Sequence, residues 1–456
     1  MHLVVVGGSD AGIAAALRAR ELDTASNVTV LVADAYPNYS ICGLPYPLSG
    51  DVAHADQLAH RTRVELEQSG MNLCLDTTVT RIDPEARRVL AGDRKLAYDA
   101  LIVASGATPI RPALPGLDLP GVHVLHTMDD ALTLEDVITH ARPRSAAIIG
   151  AGYIGLEMAE ALTQRGLRVT IVEQTDEVLP TVDRELGALV HDELGRHGVE
   201  VVTGTRVTAI EQDAGQLVVR GDPAFETRAE LALVVVGVRP DTTLARTAGL
   251  ELGQRDAIRV ERTMATSVDG IWAAGDCVET HHAILEEPGY LPLGTTAHKQ
   301  GRIAAENAIG GNRRFAGSLG TQIVKVFDLA IARTGLRDHE ATSAGFQPLT
   351  VATTATDHTP YYPHAHELQL RLTADSRSGR LLGCQLLGHR DAEIAKRIDT
   401  PAAALHAGWP IDRLNDLDLS YTPPFGTPWD ALQVAGQAWQ AAANDPSRRT
   451  AGGAPL

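Results

Sequence analysis

Two glycine-rich turns, each set between an apolar run and a helix, constrain this chain more than any other feature. The first is Gly7-Gly8-Ser9-Asp10-Ala11-Gly12, which follows the apolar residues 3–6 and opens an alanine-rich stretch to Leu22. The second is Gly150-Ala151-Gly152-Tyr153-Ile154-Gly155, which follows residues 145–149 and leads a helix through Gln164. A continuous apolar run reads as a parallel strand buried on both faces, and glycines then let N–H groups at a helix start reach a pyrophosphate. Each unit continues into a second strand, residues 28–32 and 168–172, that closes on an acid, Asp34 and Glu173. Asp34 follows Gly12 at close to the ~20-residue spacing of a ribose-binding carboxylate. Ser9 stands at the middle position of the first motif, where small side chains are tolerated. One such motif is weak, but two strand–turn–helix–strand–acid units in one chain predict two dinucleotide sites, a flavin and a nicotinamide joined for hydride transfer. Glu173 can accept both ribose hydroxyls and repels a 2′-phosphate, and Gln174 adds no basic charge, so NADH is expected over NADPH.

A length of 456 residues suggests about three domains at ~150 residues each. With 40 basic against 57 acidic residues the net charge is −17, which argues against nucleic acid or an anionic membrane as partner, since both need a basic face. No apolar run approaches the ~18 residues of a membrane helix. The start, Met1-His2-Leu3-Val4-Val5-Val6-Gly7, lacks a basic n-region and reads as a strand rather than a signal peptide. Cys42, Cys74, Cys277 and Cys384 form no CxxC or metal-type spacing, which predicts a reduced, cytoplasmic protein. The His281-His282 pair has no spaced carboxylate or cysteine set, so no metal site is expected.

The texture changes from about residue 316. Residues 322–327 and 368–372 alternate as half-buried strands, residues 381–387 form another strand, and helical patterns cover 392–407 and 431–442. An α+β C-terminal domain is expected there.

Cys42 lies in Ser40-Ile41-Cys42-Gly43-Leu44-Pro45-Tyr46. A partner with four residues between would occupy position 37 or 47, and both are proline, so Cys42 has no local partner. Any disulfide it forms involves a substrate, unless it cycles through a sulfur–oxygen state. With that segment, Gly150–Glu157, Ile271-Trp272-Ala273-Ala274-Gly275-Asp276, Leu293-Gly294-Thr295-Thr296-Ala297, Ile323–Asp328 and Tyr421-Thr422-Pro423-Pro424-Phe425 in place, the chain resembles the single-cysteine branch of the flavoprotein disulfide reductases over residues 1–440. That branch holds coenzyme A disulfide reductases, persulfide reductases, NADH oxidases and NADH peroxidases.

The resemblance implies an α/β fold with two Rossmann-like domains, for FAD and NAD, and a C-terminal α+β dimerisation domain. The expected boundaries are 1–112 and 246–318 for FAD, 113–245 for NAD(H), 319–443 for dimerisation and 444–456 for a flexible tail. The cofactor-binding residues it implies are Gly7, Ser9, Ala11, Gly12, Asp34, Ser40, Val79, Ala104, Ser105, Gly106, Arg111, Gly150, Gly152, Tyr153, Ile154, Gly155, Glu157, Glu173, Gly237, Gly275, Asp276, Thr295, Thr296 and Ala297. Among them Asp276 matches the aspartate on the FAD ribitol, Ala104-Ser105-Gly106 the turn leaving the FAD domain, and Tyr153 a gate over the nicotinamide. Glu157 matches a glutamate near both rings, or is an ordinary solvated helix residue. Tyr361, Tyr362 and Tyr421 match tyrosines that reach the redox cysteine of the partner subunit, where a phenol can protonate a leaving thiolate; the alternative is a plain interface role.

The implied activity is an FAD-dependent reduction, by NADH, of a low-molecular-weight disulfide, persulfide or coenzyme A-type thiol through Cys42 in a homodimer. A helix starting after Cys42 is expected to stabilise its thiolate and lower its pKa. Cys74, Cys277 and Cys384 are expected to be structural. Two departures bear on substrate. Asp10 stands where peroxidases and water-forming oxidases place a histidine, and Glu21 where coenzyme A disulfide reductases carry an arginine, leaving Arg18, Arg20, Arg61 and Arg63 to supply charge. The rival readings are an NADH oxidase or peroxidase with a Cys42 sulfenic acid, and an electron-transfer or redox-sensing flavoprotein acting on a protein partner.

Overall fold

The apolar runs before the two glycine turns become central strands of two parallel sheets. The computed structural model describes residues 1–445, so all of the expected tail after Asp445 lies outside the described residues. The chain divides into two units: Met1–Gln174, Thr205–His282 and Glu287–Ser318 form the first, and Thr175–Gly204, Ala283–Glu286 and the residues from Leu319 onward form the second.

The first unit begins with β1 (His2–Val6), α1 (Asp10–Leu22), β2 (Asn27–Leu31), α2 (Pro45–Ser49), β3 (Met71–Cys74) and β4 (Ala100–Val103). It continues through β5 (Val122–His123), β6 (Ser145–Ile149), α3 (Tyr153–Gln164), β7 (Arg168–Val172), β8 (Leu231–Val234), β9 (Ile271–Ala273) and α4 (Gly294–Ala308). One sheet runs in the order β9-β4-β1-β2-β3, every pair parallel, with Leu3 opposite both Val28 and Ala100. The glycine turn after β1 therefore opens between β2 and β4, where the strand order reverses and ligands bind in open α/β sheets. In the other sheet β6 pairs in parallel with β7 on one side and β8 on the other, and β5 flanks β8. Its glycine turn occupies the same kind of switch point.

Alanine makes α1 narrow as well as helical. Ala11, Ala14, Ala15, Ala16 and Ala19 are all buried, and α1 lies against α4. The approach is backbone to backbone: a Cβ on Gly301 of α4 would fall 2.1 Å from the Ala11 carbonyl oxygen. Only glycine fits there.

The second unit is built on an antiparallel sheet of β10 (Gln322–Val326), β11 (Leu329–Gly335), β12 (Pro348–Thr356), β13 (Glu367–Asp375) and β14 (Leu381–His389), in the order β10-β11-β14-β13-β12. Residues Leu368, Leu370 and Leu372 of β13 are buried, as period-two alternation predicts. They form one core with Leu386 of β14, with Ile398 of α5 (Ile394–His406), and with Leu432 and Trp439 of α6 (Ala431–Asn444). The sequence pattern had not singled out β11 or β12. β12 is rich in threonine and alanine and only partly buried, so it lacks the apolar contrast that marks a strand.

Candidate active site

Both glycine turns are built alike. Gly7 has φ +119° and Gly150 φ +106°, conformations that L side chains rarely adopt. A Cβ on Gly12 would lie 2.0 Å from the Gly7 carbonyl oxygen, and one on Gly155 would lie 2.0 Å from that of Gly150. Each helix thus starts flush against its turn, with no side-chain cap on the residue before it, Ser9 or Gly152. Uncapped N–H groups at such a terminus suit an anion. The middle position differs between the turns, yet a Cβ on Gly152 would meet nothing within 4 Å. Ser9, at the matching position of the first turn, is exposed.

Around the first turn, Ala104 sits beneath Gly7, whose Cβ would fall 2.0 Å from the Ala104 oxygen. Ser105 Oγ donates to the Asp241 carbonyl at 2.7 Å, and the Gly106 carbonyl accepts from the Asp241 N–H at 3.0 Å. Asp34 is half-buried past the end of β2 and accepts from the Tyr36 N–H at 2.9 Å; desolvation pushes its carboxyl upward. Ser40 precedes the short turn Ile41–Gly43 and Val79 is buried. Gly275 has φ +88° and donates to the buried Gln300 side chain at 3.0 Å. Thr295, Thr296 and Ala297 form the first turn of α4, and Thr296 bonds the Ser318 hydroxyl at 3.1 Å. Gly237 accepts from the Ile110 N–H at 2.9 Å, whereas Arg111 is exposed and paired with Asp118 at 2.6 Å.

At the second turn, Glu173 is buried at the end of β7 and its Oε2 accepts from the Ala151 N–H at 2.8 Å. The acid is therefore anchored to the glycine turn. Tyr153 and Ile154 begin α3, and Glu157 lies one turn further on.

Cys42 is exposed, Cys74 half-buried, and Cys277 and Cys384 buried. Burial pushes the thiols of Cys277 and Cys384 up to about 11 and about 12. The Cys42 thiol is also pushed upward, by desolvation first and then by the charges of Asp10, Glu157 and Asp276. One side of Cys42 meets solvent while protein crowds the others, so exposure and desolvation coexist. This differs from the expectation of a lowered pKa: the helix after Cys42 is the five-residue α2, and desolvation first, then the nearby carboxylates, push the thiol the other way. Tyr46 of α2 donates to Glu157 Oε1 at 3.4 Å, and its phenol is pushed up to about 12 by burial and by Glu157. Asp10, the first residue of α1, pairs with His298 of α4, Oδ1 to Nε2 at 3.3 Å.

In the second unit Tyr361, Tyr362 and Tyr421 are exposed. The Tyr362 ring stands edge-on to His358 at 5.8 Å, and Thr359 donates to the Pro423 carbonyl at 2.9 Å, which ties the loop of Tyr361 and Tyr362 to the loop of Tyr421. The structure thus gathers the three tyrosines onto one pair of loops.

A family profile described as pyridine nucleotide-disulphide oxidoreductase matches residues 1–301, and one for the dimerisation domain of the same family matches residues 321–431. The chain belongs to this family. A relative from Pyrococcus abyssi, described as an NAD(P)H sulfur oxidoreductase (CoA-dependent), is 35% identical over 95% of this chain and 96% of its own length. Among solved structures, an NAD-dependent persulfide reductase from A. fulgidus is 36% identical with TM-score 0.93, covering 97% of this chain and 83% of that one. The reduced CoADR-RHD of Bacillus anthracis is 32% identical with TM-score 0.94, covering 97% of this chain and 80% of that one.

Pyridine nucleotide-disulphide oxidoreductases use FAD with NAD(P)H, and the residues here fit that pair. Asp276 is the test case. Its carboxyl is pushed up to about 6 by desolvation and by Asp10, and no hydrogen bond from the described residues reaches it. A half-buried carboxylate without a donor is costly, and a polyol hydroxyl would relieve it. Gly7, Ser9, Ala11, Gly12 and Asp34 would hold the flavin's pyrophosphate and ribose; Gly150, Gly152, Gly155 and Glu173 would do so for the nicotinamide cofactor.

Three features escaped the sequence reading of this family member: the Asp10–His298 pair, the Tyr46–Glu157 bond and the Gln300 clasp on Gly275. Each joins residues distant in the chain, so only Tyr46 carried a signal, through its place beside Cys42.

Proposed function

We propose that this enzyme reduces a low-molecular-weight disulfide or persulfide with electrons from NADH through Cys42. The observation that carries the reading is that Cys42 is the one exposed thiol among the four cysteines, set among residues of the first glycine-turn site. When bound, FAD would supply two-electron chemistry between the nicotinamide and sulfur. The protein's own part begins with the Cys42 thiolate attacking R–S–S–R, forming Cys42–S–S–R and releasing RS⁻, which takes up a proton. Two electrons and a proton then return the mixed disulfide to the Cys42 thiolate and RSH. Tyr361, Tyr362 and Tyr421 supply protons across a homodimer, an arrangement supported by their exposure on a domain of the dimerisation type. Glu173 favours NADH. The domain boundaries expected above, and a cytoplasmic setting with reduced cysteines, belong to the same reading; no helix among the described residues is long and apolar enough to cross a membrane.

For the substrate, the state of the helix-borne arginines matters. Arg18 is held by Glu21 and Glu306, at 3.1 and 3.0 Å, and Arg20 by the carbonyls of Thr24, Ser26 and Ser69. Arg63 pairs with Glu67 at 2.7 Å. Phosphates of coenzyme A would have to displace carboxylates from Arg18 and Arg63 and backbone carbonyls from Arg20, leaving Arg61 as the one of the four arginines without an ion pair or hydrogen bond among the described residues, so a persulfide or a smaller thiol disulfide fits better. The test is reoxidation of the NADH-reduced enzyme by coenzyme A disulfide, by a glutathione-type persulfide and by peroxide in a stopped-flow instrument. Fast reoxidation by a sulfur compound, abolished by Cys42→Ser, is expected. Unchanged turnover in Cys42→Ser, or peroxide turnover without any thiol, would sink the proposal.

A further inference from the structure

Cys42 is surrounded by like charge. Asp10 reaches it from the start of α1, Glu157 from α3 and Asp276 from the segment after β9. A thiolate among three carboxylates is disfavoured, yet the thiolate is the nucleophile. Of the three, Asp10 acts most strongly, after desolvation. Glu157 accepts from the Tyr46 phenol, which brings no charge, and the Asp276 carboxylate accepts no hydrogen bond from the described residues. Asp10 is paired with a group that can become a cation, the His298 imidazole at 3.3 Å.

We propose that His298 is a positioning residue for the redox thiol: its imidazolium, paired with Asp10, cancels the charge Asp10 directs at Cys42 and so sets the thiolate population. This rests on Cys42 being the reacting thiol. The geometry is held by the main chain, since Gly301 of α4 touches Ala11, the neighbour of Asp10. His298 is half-exposed, open to protons from solvent. Asp10 raises its pKa, while burial and the charge of Arg61 act against it. A group whose pKa is raised keeps its proton to higher pH, so the pair is neutral overall through the acid side of its titration. As the imidazolium is lost on the alkaline side, Asp10 stands uncompensated beside the sulfur. Coupling is reciprocal: a Cys42 thiolate must in turn help His298 keep its proton.

The experiment follows alkylation of Cys42 by iodoacetamide, read by peptide mass spectrometry on the oxidised holoenzyme after thiol reduction, between about pH 5 and 10. His298→Gln should slow alkylation at neutral pH roughly three- to tenfold and shift the profile alkaline by up to about one unit. His298→Lys should restore it, and Asp10→Asn/His298→Gln should react at least as fast as the native enzyme. Asp10→Asn alone should speed alkylation, which keeps the test alive if His298→Gln fails to load flavin. A His298→Gln profile superimposed on the native one, or a double variant as slow as His298→Gln, overturns the proposal. Retained turnover in Cys42→Ser would sink the proposed function yet leave this reading of the thiol measurable, so the two failures are distinguishable.

Discussion

The matched glycine turns permit a paired experiment in which one perturbation has two different outcomes. Gly12→Ala and Gly155→Ala each place a Cβ 2.0 Å from a backbone oxygen, where contacts under 3.0 Å do not occur. Neither oxygen can rotate aside, so the helix must retreat by at least the missing ångström. Overpacking of this kind costs about 1–3 kcal/mol of stability, similar for both variants because the clash is the same. The retreat also draws the first N–H groups of the helix away from a pyrophosphate. Losing one charge-assisted hydrogen bond is worth about 1.5–3 kcal/mol, which is roughly a ten- to hundredfold loss of affinity. In Gly155→Ala that loss falls on NADH: anaerobic stopped-flow flavin reduction should need ten- to hundredfold more NADH for half-saturation, with flavin content unchanged. In Gly12→Ala it falls on the flavin, so the purified protein should be flavin-poor. Normal NADH saturation in Gly155→Ala, or equal flavin loss in both variants, would refute the reasoning.

Three more outcomes follow from side chains. Glu173→Gln keeps an acceptor for the Ala151 N–H but removes the charge that repels a 2′-phosphate, so the preference for NADH over NADPH in kcat/KM should fall by about tenfold; an unchanged ratio would place discrimination elsewhere. Asp276→Asn removes an acid whose raised pKa costs stability as pH climbs from its ordinary 3.8 to about 6. The flavin-free variant should therefore be more stable at neutral pH by about 1–3 kcal/mol, while binding FAD more weakly; equal stability of the two flavin-free proteins would contradict this. Glu340 is held near 2, burial opposing but Arg333 and Arg337 prevailing. Its stabilisation is full above about 4.5 and vanishes as pH falls through about 2, so Glu340→Gln should cost about 1–3 kcal/mol at neutral pH and nothing at the acid end, as denaturant melts at several pH values would show.

What could be read in the sequence was local. The glycine turns, the acids that close each second strand, and the strand at 381–387 all announce themselves through neighbouring residues, because backbone conformation and burial follow short-range pattern there. The charge around Cys42 did not. A helix just after the cysteine suggested a stabilised thiolate, but burial and then the charges of Asp10, Glu157 and Asp276, brought in by three other segments, act against it. Likewise Asp10 looked like a substitution at a position where relatives have histidine, and nothing near it in the chain shows that an imidazole arrives from α4 instead. The threonine-rich strand Pro348–Thr356 was missed for a different reason: an edge strand with little apolar contrast has no pattern to detect.

The contact between Gly301 and the Ala11 carbonyl has a mechanical meaning. Helices that slide past one another need clearance for side chains to ride over, and here the two backbones already touch. Slippage of α4 along α1 would first require the helices to part. The backbone positions that carry Asp10 and His298 are thus fixed relative to each other. What remains free to vary between them are the two side chains and the proton on the imidazole, so this junction can respond to its surroundings without any shift of the helices that carry it.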